Sequence, residues 1–302
     1  MPAMPPKSRP AAPQPEGPAV QAIRGLAKLP GVSESVEEGR QACTELRWHQ
    51  ALRRRIPQAA AESRVRGATV TALLEGAEVA GSRGSVEVIR DVMRGATAWP
   101  DSPDPVWATV RAAVQVTAAT EEVTNADLRA GRQVISRLHV AAASGLLPAD
   151  QVGRPRVEGE TCGEWSDLGP PPSADEARLR LNAVADLLPL VPSGSLPTLV
   201  IAAIAHAEII AARPFVQGNA LVARALERLI VRAGGLDPTG VAVPEAGHAV
   251  KIGADYRGAL LSYCQGGSQG VALWIQHCGQ GMTLAAIEGQ KIADSVLAGR
   301  TQ

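Results

Sequence analysis

The chain has no net charge: its 30 basic residues balance 30 acidic ones, and the sequence pI is about 7.0. With no overall field, nothing draws the whole molecule to nucleic acid or to an anionic membrane surface. The basic cluster Arg53-Arg54-Arg55, beside Arg47, reads first as the solvated face of a helix. Cysteines are few and scattered (Cys43, Cys162, Cys264, Cys278), with no C-x-x-C pair. His277-Cys278 with a distant Cys264 lacks the short, clustered spacing that zinc ligation needs, so no metal site is expected. The four thiols read as reduced core residues of a cytoplasmic protein. No apolar run reaches the length of a membrane span, and the first residues lack the apolar segment of a signal peptide. Internal repeats are absent, and no segment reads as a central strand.

What remains is a globular composition, 45% hydrophobic and 20% charged, on 302 residues. Residues 1–22 read as a disordered tail rich in Pro and Ala, and 23–302 as a helical domain. Helical periodicity sets in near Val36 and runs from Glu38 to Leu74 with an interruption at Pro57. Further helices are predicted over Val86–Arg94, Val106–Ala119 and 125–146, the last after the capping sequence Thr124-Asn125-Ala126-Asp127. Breaks are expected at Gly81-Ser82-Arg83-Gly84 and in the Pro-rich turn Trp99–Pro105. Leu147–Pro172 reads as loop with room for a short β-hairpin at most. Ser173 and Glu176 form a capping box opening a helix to Leu188. Thr198–Ala212 is apolar nearly all round and belongs at the domain centre. Helices over Ala220–Ala233, about 249–264 and 270–297 follow. The predicted fold class is all-α.

The segment Arg213-Pro214-Phe215-Val216-Gln217-Gly218-Asn219-Ala220-Leu221-Val222-Ala223-Arg224 joins the central helix to an amphipathic one. The start of a helix exposes unpaired N–H groups and positive dipole, so a Gly-Asn turn there is a natural anion site. The same turn also serves as an ordinary helical connection, and spacing alone does not separate the two.

These residues resemble the signature of the Fic (Fido) family, H-P-F-x-D/E/N-G-N-G-R-x-x-R, with Pro214, Phe215, Gly218, Asn219 and Arg224 in register. Phe215 is the only phenylalanine in the chain, and His206 stands seven residues before the motif, where the family often has a histidine. Leu138-His139, Gly153-Arg154-Pro155-Arg156 and Gly169-Pro170-Pro171-Pro172 follow the order of further family features. Thr71-Ala72-Leu73-Leu74-Glu75-Gly76 is similar to the inhibitory helix motif S/T-x-x-x-E-G/N of some members. The resemblance implies a helical core over roughly 100–280 with an inhibitory-type helix near 60–76. It also implies a nucleotide site at Gly218, Asn219, Ala220 and Arg224, with Thr71, Glu75 and Gly76 as inhibitory residues. In such members the glutamate pairs with the last motif arginine, here Arg224. An exposed helix-end glutamate is the plainer alternative.

The family's chemistry is transfer of AMP from ATP to a hydroxyl, with the motif histidine as general base. Arg213 stands there, and a guanidinium cannot accept a proton at physiological pH. Gln217 replaces the acidic magnesium ligand, so ATP is the implied cofactor while Mg²⁺ is not supported. Ala220 replaces the second glycine, and Leu221 replaces the first motif arginine and cannot clamp phosphate. His206, two helical turns away, reads as a buried structural residue rather than a substitute base. Three functions remain open on these residues. The first is a silent Fic-type regulator that binds a nucleotide, or a protein through the 156–172 flap. The second is a nucleotidyl- or phosphoryl-transferase with a non-standard mechanism. The third is a helical interaction protein holding peptides at 156–172 by strand addition.

Overall fold

A computed structural model describes residues 17–79, 85–101 and 104–300. In chain order its α-helices are α1 (Pro18–Leu26), α2 (Val32–Arg47), α3 (Ile56–Leu74), α4 (Ser85–Met93), α5 (Pro105–Ala119) and α6 (Gly131–Ala143). They continue with α7 (Ala174–Leu187), α8 (Thr198–Ala212), α9 (Asn219–Ala233), α10 (Pro244–His248), α11 (Ala254–Gln265) and α12 (Gly267–Leu297). The described residues contain no strand, so the fold is all-α, and the stretch with room for a hairpin is loop with short 3₁₀ turns at Ala149–Gln151 and Ser166–Leu168. None of the described helices is long and apolar enough to cross a membrane.

Several boundaries differ from the sequence reading. The tail expected over 1–22 lies outside the described residues up to position 16, but Pro18 already starts α1, where proline suits the first helical position. Ile23 is buried there, and α1 contacts α8. The helix expected over 125–146 begins instead as a 3₁₀ turn, Asp127–Ala130, because the Asp127 carboxylate caps Thr124 from its N–H and hydroxyl at 2.8 and 2.7 Å. The Gly81–Gly84 break and Ser102-Pro103 lie outside the described residues.

The centre is α8, buried at every position except Thr198, Ile204 and Glu208, as an all-round apolar sequence dictates. It packs on α9, while the long α12 lies against α2 and α10. α6 and α7 approach so closely that a Cβ on Gly131 would stand 2.2 Å from the Ala185 carbonyl oxygen. Close packing of this kind sets α6 beside the start of α9, where it presents His139 to the connecting loop.

The end of α3 fixes the position of one carboxylate. Gly76 has φ +76°, its N–H donates to the Leu73 carbonyl, and the Ala77 N–H donates to that of Ala72 at 2.9 Å. That is a Schellman stop, with a left-handed glycine and buried Ala72 and Ala77 beside it. Glu75 is thereby held as the C-cap residue. A carboxylate there faces the negative end of the helix dipole and costs stability unless a cation meets it.

Candidate functional site

α8 ends where Arg213 turns into left-handed backbone at φ +44°, and α9 begins after Gly218 at φ +89°, a conformation that suits glycine. Asn219 holds the loop between them together. Its Oδ1 accepts from the Phe215 N–H and its Nδ2 donates to the Phe215 carbonyl, both at 3.0 Å, and the residue is fully buried. Asn219 is therefore the first residue of α9 and not its cap, which is Gly218. His139 stacks on Phe215 with ring centroids 3.8 Å apart and 9° between planes. Its Nε2–H donates to the Gln217 carbonyl at 3.0 Å, and its Nδ1 accepts from the Gly153 N–H at 2.9 Å. Burial lowers its pKa to about 4, so the ring works as a neutral brace.

Arg213, at the general-base position, is 2% exposed and is spent on backbone. Nη1 donates to the carbonyls of Trp165 at 3.0 Å and Gly169 at 2.8 Å, and more weakly to that of Glu164, while Nη2 donates to that of Pro170 at 3.0 Å. Carbonyls thus take the place of a local carboxylate partner. Arg156 fastens the other side. Its N–H donates to the Pro214 carbonyl and its Nε to the Arg213 carbonyl, both at 2.8 Å, and its Nη2 reaches the Pro172 carbonyl. The 156–172 segment is a loop clamped onto the turn, and the carbonyls that strand addition would use near 164–170 are already engaged. Trp165, itself left-handed at φ +55°, lies edge-on to Tyr256 and under the Arg257 guanidinium at 4.5 Å.

This clamp delivers Glu164 to the start of α9. Glu164 Oε1 accepts from the Gly218 N–H at 2.7 Å, and Oε2 accepts from the Asn219 N–H at 3.0 Å and from Asn219 Nδ2 at 2.7 Å. The unpaired donors and positive dipole of the helix start are thus met by the chain's own carboxylate. Burial raises the Glu164 pKa, the nearby charge of Glu75 raises it further, and the three hydrogen bonds oppose both. Ala220 and Leu221 turn their side chains into the core.

Arg224, 1% exposed on α9, donates Nη2 to Glu75 Oε1 at 2.5 Å, with the Glu75 side chain 20% exposed. Its Nε and Nη1 are buried without a well-aligned hydrogen-bond partner, although the Tyr256 side chain also interacts with the guanidinium. Thr71 is buried one turn before Glu75 and Gly76 forms the stop, so the three residues of the T-x-x-x-E-G match bring one carboxylate to Arg224.

His206 belongs to a buried network that no spacing in the sequence announces. Glu227 Oε2 accepts from His206 Nδ1 at 2.6 Å and from His248 Nε2 at 2.7 Å. Tyr256 hydroxyl meets His206 Nε2 at 2.7 Å, and His277 Nε2 meets His248 Nδ1 at 3.2 Å. Burial lowers His206 and His277 to about 4, while Glu227, which burial alone would raise, is held low by the two imidazoles. His206, Glu227 and His248 have the side chains of a metal site. Their N···O spacings are those of hydrogen bonds, since two ligands of one zinc ion stand roughly 3.3 Å apart. The cluster reads as a satisfied core network.

A magnesium nucleotide does not fit the residues present. Gln217 offers a neutral amide where the resemblance implies an acidic ligand, the Gly218 and Asn219 N–H groups already hold Glu164, and Leu221 lies in the core. Sequence reasoning misses Glu164, Trp165, Tyr256, Glu227 and His248. For Glu227 alone a signal exists, its place one turn beyond the motif residue Arg224 on the motif's own helix.

No family model matches the chain, and no curated protein matches it in sequence. Solved structures do. Fic-1 (residues 134–508) from C. elegans is similar at a TM-score of 0.65 and 18% identity, over 93% of this chain and 75% of that one. A Fic family protein from Desulfovibrio desulfuricans G20 is similar at a TM-score of 0.58 and 18% identity, over 97% of this chain and 78% of that one. A Fic domain containing signaling protein from Bacteroides thetaiotaomicron VPI-5482 is similar at 0.57 and 12% identity, over 86% and 98% of the two chains. The chain has the Fic fold.

Proposed function

We propose that this Fic-fold chain transfers no AMP and acts as a binding regulator, taking an anionic ligand of the nucleotide class at the 213–224 turn. The observation that carries the reading is Arg213. At the position where the resembled family has its base stands a buried guanidinium with donors only, and those donors hold the 164–170 carbonyls. Phosphoryl-type transfer relies on positioning and charge stabilisation, and Gln217 and Leu221 remove two further contributions to it. The pairing of Glu75 with Arg224 supports an inhibitory role for Thr71, Glu75 and Gly76. A protein partner at the flap would have to meet side chains on its outer face, such as the exposed Val157.

The test is incubation of the full chain, alone and with cell lysate, with ATP labelled on the α-phosphate. No label above background is the expected result. Label transfer that disappears in Arg224→Ala would overturn the silent reading and restore an unusual transferase.

A further inference from the structure

We infer that the cavity between α3, α4, α5 and the end of α12 is a binding site for a small organic anion, a dianionic head such as a phosphate monoester on an apolar body. This site is separate from the 213–224 turn and independent of the function proposed for it. The cavity holds about 700 Å³, the size of a small-molecule site. Its charged wall sets Arg55, Arg64, Arg90 and Arg94 against the single carboxylate of Glu62. In a chain with no net charge this is a local excess of positive charge, and a cleft with low-dielectric walls focuses its field. Neighbouring carboxylates do not cancel the excess, because they are shared. Glu62 accepts from Arg90 Nε and Nη2 at 2.9 and 2.7 Å and also from Arg66 Nε at 3.2 Å. Glu121 meets Arg64 Nη1 at 3.2 Å and Arg232 Nη1 at 2.9 Å. Arg55 donates Nη1 to the Val296 carbonyl at 2.7 Å, and among the described residues it pairs with no carboxylate. Arg64 shows the consequence: burial pushes its pKa down, Glu121 opposes the shift, and the charges of Arg228 and Arg232 add to it. An anion seated among these guanidinium groups meets the donors that a carbonyl and the shared carboxylates leave over. Val65, Met93 and Val296 face the same space and give the body of the ligand its apolar contacts. Arg64 precedes Glu75 by eleven residues, about 16 Å along α3, so such a ligand braces the helix that carries Glu75 without touching the turn.

The test titrates the full chain calorimetrically with 1-naphthyl phosphate, inorganic phosphate and 1-naphthol. Wild type should bind 1-naphthyl phosphate about tenfold or more tighter than inorganic phosphate, and the same ligand should raise the melting temperature. 1-Naphthol, which has the body without the charge, should not bind measurably. Arg55→Gln, at an exposed position, should weaken 1-naphthyl phosphate binding by about fivefold, and Arg64→Gln by at least as much. Failure of wild type to bind 1-naphthyl phosphate would overturn the inference, as would equal affinity for it and inorganic phosphate or for it and 1-naphthol. Undiminished binding by Arg55→Gln and Arg64→Gln would put the probe elsewhere on the chain and overturn the site. Should Arg64→Gln lose its cooperative unfolding transition, Arg94→Gln, whose side chain is 48% exposed, decides the matter by the same titration. About threefold weaker binding is then expected, and no change overturns the inference. The silent reading of the turn stands or falls on label transfer from ATP, which none of these substitutions touches, so the two proposals fail separately.

Discussion

Arg213 and Trp165 are both left-handed residues other than glycine, at φ +44° and +55°, and the first donates to the carbonyl of the second at 3.0 Å. Each such conformation costs an L-residue about 1–2 kcal/mol, so the surrounding bonds must over-determine it. The guanidinium fork of Arg213 and the stacking of Arg257 on the indole supply that constraint.

Arg213→Lys should therefore destabilise the chain by about 2 kcal/mol, since an ammonium cannot span the same carbonyls and charged hydrogen bonds contribute about 1.5–3 kcal/mol. Urea unfolding measures it. Arg213→His restores the family's residue but not the base's function, because it releases the flap. The expected outcome is no AMP transfer together with a similar loss of stability, and efficient transfer would contradict the clamping role of Arg213.

Glu75→Ala leaves a cation buried on α9 and should cost about 3 kcal/mol. Arg224→Met keeps the volume and removes the charge, so it should cost less. In the Arg224→Met background, Glu75→Ala should cost under about 1 kcal/mol. A double-mutant cycle in urea checks all three, and full additivity would mean that the pair is not coupled.

Acid should destabilise the fold. His139, His206 and His277 are each lowered from 6.5 to about 4, chiefly by burial. The unfolded chain then binds protons first. Their stabilising contribution is full above 6.5 and lost as pH falls toward 4. Around His206 stand Glu227, His248, Arg224 and Tyr256, of which only Glu227 opposes the shift. Glu164 runs the other way, because its raised pKa favours the folded state below the ordinary carboxylate range. Three histidines outweigh one carboxyl, so the urea midpoint should drop between about pH 7 and about pH 4.5. A flat profile would mean the imidazoles titrate normally.

Asn219→Asp preserves shape and sets a second carboxyl against Glu164, whose Oε2 lies 2.7 Å from the donor it replaces. The two acids must share a proton. The variant should be markedly less stable than wild type at about pH 7, and the gap should narrow by about pH 5. A pH-independent difference would count against an ionised Glu164.

The parts legible in sequence share one property: their signal is local. α8 is apolar on every face, Ser173 accepts from the Glu176 N–H as its capping box requires, and Glu75-Gly76 ends a helix by rules confined to a single turn. α1 is hidden because prolines mask its short apolar stripe. Glu164 is hidden for a stronger reason. It meets residues 54 and 55 positions away from inside a loop with no periodicity, so no spacing announces the contact. His206, Glu227 and His248 stand on three different helices, each 21 positions from the next, and only helix packing unites them.

Arg213 and Arg156 hold the flap almost wholly by main-chain oxygens. Every amino acid supplies a carbonyl, so the path of the flap is fixed while most of its letters are left open. Exposed positions such as Glu158, Thr161 and Ser166 are therefore free to change their chemistry without moving Glu164. The outer face of the flap is a place where new recognition could evolve at little structural risk, independently of what the turn beneath it binds.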